Sequence, residues 1–385
     1  MDAVQKIGSD EKLIAEVRTL QDQLSCHDTF LLAFTSGSMG QPKCVEHSTF
    51  SLYNTVRLGT KMIGLPNVGS TLYTYFSTPV YTIAPFFIPG CAVVVPASTS
   101  PSSVEIMKTI QEERCHSISV LWLKDFHDLL YHPHLGDYDL SSILGVGTSG
   151  NVVPKSLLDR AADLLPKANV FVVYGMTELT SVASAPAAMI GEGKGTTVGK
   201  PAPHVEIQLV DKDGQVVPLG QVGEVWVRGE FLFKGYHGDK EKTSQAMTAD
   251  GWYKTGDLGV LDENGVLKHF GRCSDMIIRN AYNVHPSVIE APLSKHPKVQ
   301  DVRVVSVPNP ASVEEICACI ILKEGRSADS REMKTACVEM GMVPIEVPGY
   351  FVFFNEFPMT ASLAKVDRKK LRLIAMEKLD LTKKP

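Results

Sequence analysis

Residues 170–178 read Val-Phe-Val-Val-Tyr-Gly-Met-Thr-Glu, an apolar run that ends in a tyrosine, a glycine and two polar side chains. Such a run predicts a buried β-strand over Val170–Tyr174. Ligands of open α/β sheets gather at the carboxyl ends of strands, where Tyr174, Thr177 and Glu178 fall. An aromatic ring can stack on a base, a hydroxyl can donate to a phosphate, and a carboxylate suits Mg²⁺. By itself the string leaves a ligand site and an ordinary strand end equally open.

Similar apolar runs alternate with amphipathic stretches through the first half of the chain. This alternation predicts βαβ units on a mostly parallel sheet. The further predicted strands are Thr29–Phe34, Ala92–Val95, Ser117–Leu123 and Ile143–Val146, and the predicted helices are Ser103–Glu113 and Lys155–Leu165.

The pattern changes after residue 200, where shorter strands are joined by Asp213-Gly214 and Asn264-Gly265 turns. Such turns predict hairpins and therefore a small antiparallel β unit. Beyond about residue 275 a compact α+β segment follows. We therefore predict an α/β protein with a large domain over 1–274 and a small α+β domain over 275–385. The strands behind this prediction are Val205–Val210, Gly223–Val227, Val266–Phe270, Val302–Val307, Ile316–Leu322 and Tyr350–Phe354.

Composition excludes several classes of protein. The chain of 385 residues is 44% hydrophobic and 21% charged, which is typical of globular proteins, and its net charge of −5 argues against a duplex-binding face. Eight scattered cysteines without a CxxC pair favour a reducing compartment over a disulfide scaffold or zinc ribbon. No apolar run is long enough for a membrane helix, and acidic residues interrupt the amino terminus. We expect an intracellular protein, cytoplasmic or organellar (mitochondrial or peroxisomal), that is not secreted.

The amino terminus itself shows helical spacing of apolar residues. This spacing predicts an amphipathic helix that packs on the core, with a partner-binding face as the alternative. The residues concerned are Leu13, Ile14, Val17, Leu20 and Leu24.

A second segment, residues 34–43, reads Phe-Thr-Ser-Gly-Ser-Met-Gly-Gln-Pro-Lys. Glycines let backbone N–H groups approach an anion closely, and hydroxyls add donors, so the loop is suited to phosphate. It is not a Walker A loop, because Gly37 and Gly40 lie too close together and Lys43 precedes a cysteine.

Two further segments carry candidate binding residues. Residues 251–257 read Gly-Trp-Tyr-Lys-Thr-Gly-Asp, and Arg272 follows fifteen residues after Asp257. A carboxylate can accept from both ribose hydroxyls, and an arginine adds a donor fork. Near the carboxy terminus, residues 358–368 place Lys365 in a loop of small residues. Alone, the first segment somewhat favours a turn aspartate with a surface salt bridge, and the second strongly favours a solvated lysine.

Together and in this order, the four segments resemble the adenylate-forming (AMP-binding) superfamily of acyl-CoA synthetases, luciferases and peptide-synthetase adenylation domains. The resemblance covers the chain from about Phe30 to Lys370. The motif sequences most resemble those of the medium-chain, family member 2 type of acyl-CoA synthetase. It implies an adenylation domain that lacks the usual amino-terminal subdomain, followed by a mobile lid that turns at Ser274-Asp275.

The resemblance also implies roles for the candidate residues. The loop 35–43 would hold the ATP phosphates, Tyr174 would stack on adenine, and Thr177 would meet the α-phosphate. Glu178 would bind magnesium, Asp257 and Arg272 would hold the ribose, and Lys365 would bridge the acyl carboxylate and the α-phosphate. The catalytic set is Lys365, Thr177 and Glu178, and the nucleotide-binding set is Thr35, Ser36, Gly37, Ser38, Met39, Gly40, Lys43, Ser149, Gly150, Asn151, Tyr174, Gly175, Asp257 and Arg272.

The sequence departs from the family pattern at several points. Met39 replaces a threonine of the phosphate loop, and Asn280-Ala281 replaces a Gly-Gly pair where backbone passes close to pantetheine. The histidine expected near Thr74–Tyr81 is absent. Only 34 residues precede the phosphate loop, fewer than in the family, so we expect apolar surface to be exposed.

The expected activity is ATP-dependent conversion of a carboxylic acid, with a fatty acid expected, to acyl-AMP and pyrophosphate, and then, with coenzyme A, to acyl-CoA and AMP. The expected ligands are the acid, ATP, Mg²⁺ and coenzyme A, with no nucleic acid. Two alternatives stay open: transfer to a carrier protein or an amine, and a non-catalytic nucleotide-binding relative.

Overall fold

The computed structural model describes residues 10–35, 43–54, 71–73, 92–96, 98, 101–120, 123–149, 153, 155–190, 196–280, 282–309, 313–360 and 366–381. The strands before residue 275 are β1 (Thr29–Thr35), β2 (Lys43–Ser48), β3 (Thr71–Tyr73), β4 (Ala92–Val94), β5 (Ser117–Val120), β6 (Gly145–Ser149), β7 (Asn169–Met176), β8 (Leu179–Pro186), β9 (Thr196–Pro201), β10 (Val205–Val210), β11 (Gly223–Gly229), β12 (Gly235–Tyr236), β13 (Tyr253–Leu261) and β14 (Leu267–Arg272). The strands after it are β15 (Ile277–Arg279), β16 (Tyr282–Val284), β17 (Val299–Asn309), β18 (Val313–Leu322) and β19 (Tyr350–Phe354). The helices are α1 (Glu11–Gln21), α2 (Ser103–Glu112), α3 (Leu123–Leu130), α4 (Lys155–Leu164), α5 (Lys240–Ala246), α6 (Pro286–Leu293), α7 (Ser330–Glu339) and α8 (Arg368–Lys378).

One large mixed sheet forms the scaffold, with strand order β10-β11-β13-β14-β9-β8-β7-β6-β5-β3-β4. The pairs among β3 to β7 are parallel, as βαβ connections require. From β7 outward every pair is antiparallel. The predicted α/β class is confirmed. The antiparallel strands, however, extend the same sheet through β8 and β9 and do not form a separate unit.

Helices α2, α3 and α4 cover the parallel half of the sheet and bury its core. Helix α2 begins with a capping box, in which the Ser102 hydroxyl accepts from the Glu105 amide while the Glu105 carboxylate accepts from the Ser102 amide. Its apolar stripe, Ile106, Met107 and Ile110, is buried against the strands. The same core contains Val146 of β6 and Val170 and Val172 of β7.

A three-stranded sheet, β1-β2-β12, packs beside the mixed sheet. Strands β1 and β2 are antiparallel, and the pair Thr35–Lys43 closes their connection. Short strand β12 pairs with β2. Val45 and Tyr236 from this small sheet lie in one core with residues of β7 to β11, so the two sheets are joined.

The part after residue 275 is a smaller α+β unit. Strand β18 pairs with β17 on one side, and with β15 and β19 elsewhere along its length. Helices α6 and α7 pack with these strands around Ile316 and Met333, and α8 packs around Leu371. The three strands expected here are confirmed. The domain boundary stays a prediction; the chain passes from β14 to β15 through a short 3-10 turn at Cys273–Asp275.

Two predicted strand boundaries were wrong. The strand predicted to reach Leu123 ends at Val120, and a helix already includes Leu123. The strand predicted from Ile143 begins at Gly145, because Ile143 closes a turn with its amide on the Leu140 carbonyl. Its apolar side chain is buried in the core without being part of a strand.

Helix α1 forms as predicted, with the Asp10 carboxylate capping its first turn, and Leu24 lies beyond its end. It does not pack on the core: none of its residues is buried, and Val17 and Leu20 are 52% and 56% exposed. On β1, Phe30 and Phe34 are also exposed. Within the residues described, no helix combines the length and apolarity needed to cross a membrane.

Candidate active site

Thr177 and Glu178 form the turn between β7 and β8, at the carboxyl end of the parallel half of the sheet. Gly175 allows the hairpin to close, because a Cβ at this position would lie 2.0 Å from the carbonyl oxygen of Thr180. Tyr174 precedes it on β7. The structure therefore brings these four predicted residues together in one hairpin.

Contacts from the small sheet hold this turn in place. His47 on β2 is 2% exposed, and its Nε2 lies 2.7 Å from the carbonyl oxygen of Thr177. Since a carbonyl only accepts, Nε2 carries the proton and donates. Burial lowers the pKa of His47, which keeps the ring neutral. The amide of Phe233, just before β12, donates to the carbonyl of Glu178 over 2.9 Å.

The carboxylate of Glu178 is buried among hydroxyl groups. The hydroxyl of Tyr236 donates to Oε1 over 2.7 Å, and the hydroxyl of Tyr253 lies 3.3 Å from that of Tyr236. Burial and the charge of Glu178 raise the pKa of both tyrosines, so their hydroxyls stay protonated. Lys43 Nζ lies 3.5 Å from the Tyr236 oxygen and 4.8 Å from the ring centroid.

These groups fit a magnesium ion that arrives with a nucleotide. Mg²⁺ is usually bound by one or two carboxylates together with substrate phosphates and water. Glu178 supplies one such carboxylate, only 7% exposed, with no ion-pair partner among the described residues. Within the same residues no group of three His, Cys, Asp or Glu side chains could hold a metal by itself. The donor set suits a cation shared with phosphates.

The predicted phosphate loop is described only at its two ends. Thr35 and Lys43 are cross-strand neighbours on β1 and β2, so the loop leaves and re-enters the small sheet at one point. Ser149 ends β6 beside Val173 of β7, close to the predicted adenine site. The remaining predicted residues lie outside the described part of the chain: Ser36, Gly37, Ser38, Met39, Gly40, Gly150, Asn151 and Lys365.

Asp257 lies at the centre of a second cluster and is 3% exposed. Its Oδ2 accepts from the Tyr174 hydroxyl over 2.6 Å, and its Oδ1 lies 2.9 Å from Arg272 Nε on the neighbouring strand. His269 Nε2 is 3.6 Å from Oδ1, which is longer than a hydrogen bond. Burial raises the pKa of Asp257, but His269 and Arg272 more than offset this, so the pKa lies below its usual value. The group is therefore an ionised acceptor.

Strand β13 connects the two clusters. Tyr253 and Asp257 both belong to this strand: the hydroxyl of Tyr253 lies beside that of Tyr236, and Asp257 accepts from Tyr174. Thr255, between them, accepts through its carbonyl from Arg272 Nη1 over 2.6 Å.

Sequence reasoning missed His47, Tyr236, Tyr253 and His269. The period-two spacing of tyrosine, threonine and aspartate over 253–257 was a usable signal for Tyr253. His47 and Tyr236 enter the clusters through contacts between elements that are distant in sequence, and His269 enters through the β13–β14 hairpin. No local pattern marked these three.

In the smaller unit, Arg368 connects three elements. It binds both carboxylate oxygens of Glu290 on α6, over 2.8 and 3.1 Å, and donates to the Val304 carbonyl over 2.7 Å. Its Nε lies 3.6 Å from Asp275, the predicted turning point. Asn280 has φ of 49°, a left-handed conformation that suits glycine and asparagine, which explains why asparagine can stand there. Ala281 lies outside the described residues.

Several curated proteins are similar to this chain over nearly its whole length. A curated relative, the mitochondrial medium-chain acyl-CoA ligase ACSF2 of Bos taurus, is 32% identical and matches 97% of this chain. The human protein of that name is also 32% identical over 97% of the chain. The chain spans about 62% of the length of these relatives. The putative acyl-CoA synthetase YngI of Bacillus subtilis is 32% identical over 96% of this chain and 67% of its own length.

Solved structures show the same fold. The amide bond synthetase McbA of Marinactinospora thermotolerans superposes with a TM-score of 0.81 at 30% identity, covering 89% of this chain and 68% of that one. The o-succinylbenzoate CoA synthetase MenE of Bacillus subtilis gives 0.79 at 25%, covering 91% and 70%. Residues 3–237 match the AMP-binding enzyme model and residues 288–363 the AMP-binding enzyme C-terminal domain. The chain therefore belongs to the AMP-binding enzyme family.

Proposed function

We propose that the chain activates a carboxylic acid with ATP to give acyl-AMP and pyrophosphate, and then transfers the acyl group to coenzyme A with release of AMP. A medium-chain fatty acid is the proposed substrate, because the ACSF2 relatives carry that name. The observation that carries the proposal is the pair of buried carboxylates, Glu178 and Asp257, at one end of the sheet and bridged by β13.

The two carboxylates divide the nucleotide between them. Asp257 is an ionised acceptor that is already neutralised by Arg272, so it suits neutral ribose hydroxyls. Tyr174 contacts Asp257, and its ring lies near that of His269, with 5.2 Å between the ring centroids. An adenine that extends from a ribose held by Asp257 would lie beside these rings. Ser149, at the end of β6, pairs with Val173 next to Tyr174, and Thr177 follows β7 in the turn.

Glu178 faces the phosphate end. A magnesium ion bound there would withdraw charge from the phosphate oxygens, with Glu178 as its protein ligand. Lys43, at the end of the phosphate loop, adds a positive charge close by. His47 and Phe233 keep the turn rigid by bonding its two carbonyls, so the carboxylate does not have to be reordered when nucleotide binds.

The chemistry needs placement and charge neutralisation more than it needs a base. In the first half-reaction an oxygen of the acid attacks the α-phosphorus, and the bond to the β-phosphate breaks. In the second, the thiol of coenzyme A loses its proton and attacks the acyl carbonyl, and AMP leaves. We assign to Lys365 the neutralisation of the attacking carboxylate beside the α-phosphate, as the family pattern implies.

The test is acid-dependent exchange of labelled pyrophosphate into ATP, screened over a series of carboxylic acids of increasing chain length. Thioester formation with free coenzyme A is measured for every acid that supports exchange. Lys365→Ala should lower exchange by at least about 10²-fold while thioester formation from supplied acyl-AMP changes much less. Lys369→Ala, on the first turn of α8, is the matched control. Equal loss in both half-reactions would contradict the role of Lys365.

A second acceptor class has one observation in its favour. McbA, an amide bond synthetase by name, has 30% identity to this chain. An amine acceptor would give exchange and an amide product without thioester when coenzyme A is supplied. Absence of exchange with every acid, together with ATP binding, would instead support a non-catalytic nucleotide-binding protein.

A further inference from the structure

Residues 233–236 hold Glu178 by two separate contacts. The amide of Phe233 donates to the backbone carbonyl of Glu178 over 2.9 Å, and the hydroxyl of Tyr236 donates to carboxylate Oε1 over 2.7 Å. Tyr236 is 5% exposed and lies in the core beside Phe233, with ring centroids 5.0 Å apart. The position of the carboxylate is therefore set by a side chain that cannot easily move.

The protons in this cluster can be assigned. A carboxylate only accepts, so the single proton of the Tyr236 hydroxyl goes to Glu178. The oxygen of Tyr236 is left as an acceptor, and the two groups near it, the Tyr253 hydroxyl at 3.3 Å and Lys43 Nζ at 3.5 Å, then donate. Donation to the Tyr236 oxygen strengthens its own bond to Glu178, because hydrogen bonds in a chain polarise one another.

We propose that Tyr236 is a positioning residue for the cation–nucleotide complex: its hydroxyl orients the carboxylate of Glu178 and ties that carboxylate to Lys43 at the end of the phosphate loop. This proposal rests on the proposed function, because it takes Glu178 as the ligand of a magnesium ion that arrives with ATP. The phenol acts through Glu178 and does not itself touch the substrate. With one oxygen held by the hydroxyl, the carboxylate can offer the other to the cation.

The substitution Tyr236→Phe removes the hydroxyl and keeps the ring, with its packing against Phe233 and its face toward Lys43. Loss of a group that orients a metal ligand typically weakens metal affinity by about 10- to 100-fold. We expect the Mg²⁺ concentration that gives half-maximal pyrophosphate exchange to rise by about tenfold or more. The affinity for ATP measured in EDTA should stay that of the wild type, because the nucleotide contacts through Asp257 are unchanged.

The experiment measures ATP binding by calorimetry in excess EDTA and over a range of free Mg²⁺, and pyrophosphate exchange over the same range. The matched control is Tyr138→Phe, a tyrosine packed on the core beneath α2 to α4 and away from the turn. Melting temperatures of both variants show whether folding is altered. Glu178→Gln, with and without Tyr236→Phe, completes a double-mutant cycle.

If Tyr236 acts through Glu178, its substitution adds little to the Mg²⁺ requirement of the Glu178→Gln protein. Full additivity of the two substitutions, or a wild-type Mg²⁺ requirement in Tyr236→Phe, would overturn the proposal. If the wild type binds ATP in a Mg²⁺-dependent way but supports no pyrophosphate exchange, the proposed function is refuted. The change in the Mg²⁺ dependence of ATP binding in Tyr236→Phe, measured by calorimetry, still tests the positioning role. If Mg²⁺ does not change ATP binding by the wild type, the positioning role of Tyr236 falls, while acid-dependent pyrophosphate exchange still decides the proposed function.

Discussion

The substitution Gly175→Ala tests whether the β7–β8 turn is as closely fitted as the structure shows. An added Cβ would lie 2.0 Å from the carbonyl oxygen of Thr180 and 2.7 Å from its carbonyl carbon, whereas Cβ atoms essentially never come closer than 3.0 Å to another heavy atom. Both obstructing atoms belong to the backbone, so no side chain can rotate away. The hairpin has to open by about 1 Å, which we expect to cost about 2–3 kcal/mol of unfolding free energy, as overpacking does.

The same displacement moves Thr177 and Glu178, which follow Gly175 in the turn. A misplacement of about 1 Å at a reacting centre can lower a rate by about 10²-fold, and we expect a loss of this size in acid-dependent pyrophosphate exchange. Unfolding is followed in urea, and exchange is measured where the variant is fully folded, so that the two effects are separated.

Gly136→Ala is the matched control, because a Cβ there meets nothing within 4 Å. It should change the unfolding free energy by less than about 0.5 kcal/mol and leave exchange intact. If Gly175→Ala unfolds like the wild type and exchanges pyrophosphate at the wild-type rate, the close fit of the turn and its role in positioning Glu178 are both refuted.

Four further outcomes follow from the sites. Asp257→Ala should raise the KM for ATP and leave acid affinity unchanged, and wild-type protein should bind dideoxy-ATP more weakly than ATP; equal binding of the two nucleotides would exclude a ribose role. Met39→Thr restores a hydroxyl to the phosphate loop and should speed adenylation in single-turnover assays. Asn280→Gly with Ala281→Gly should speed transfer to coenzyme A alone, since both remove a Cβ; an unchanged rate would show these departures to be neutral. Because burial holds the pKa of His47 below 6.5, the unfolded chain binds the proton more readily; unfolding free energy should therefore fall as pH falls through 6.5, and His47→Gln should flatten that slope in urea titrations at pH 5 to 7.

Much of the sheet could be predicted because its strands carry strong local patterns. The run over Val170–Tyr174 lies within β7, and Gly214 and Gly265 take the positive φ that their turns require, 78° and 72°. Strand β8 was not predicted. Its sequence, Leu-Thr-Ser-Val-Ala-Ser-Ala-Pro, is rich in small residues and weak in β-propensity, and it forms by pairing with β7 and β9. Without it, the antiparallel strands could not be recognised as part of the same sheet.

Helix α1 shows what periodicity cannot decide. The spacing of Leu13, Val17 and Leu20 correctly predicted a helix, since it reports one apolar stripe per turn. It carries no information on what lies opposite that stripe, and in the structure the three side chains are exposed. The core packing that we expected depended on a neighbour, which a one-dimensional pattern does not contain.

The residues of the candidate site show the same difference between what a local sequence pattern predicts and what depends on contacts distant in sequence. Tyr174, Glu178, Asp257 and Arg272 could be predicted because each belongs to a segment whose residue order has chemical meaning, and the structure joins Tyr174, Asp257 and Arg272 by direct contacts. Tyr236 follows an ordinary Lys-Gly pair and reaches Glu178 across 58 positions of sequence. Its contribution depends on the register of β12 against β2, which no segment of the sequence specifies by itself.

The two carboxylates of the site differ in a way that bears on their proposed roles. Each accepts a hydrogen bond from a tyrosine, Asp257 from Tyr174 and Glu178 from Tyr236. Asp257 is also paired with Arg272, so its charge is already compensated before any ligand binds, and a second cation there would gain little. Among the described residues Glu178 accepts from the hydroxyl of Tyr236 and has no ion pair, so its charge is oriented without a salt bridge. A carboxylate without an ion pair, such as Glu178, attracts a cation, whereas a paired carboxylate, such as Asp257, can accept from neutral hydroxyls. Substitutions around Glu178 should therefore change the Mg²⁺ dependence of the activity, and substitutions around Asp257 should not.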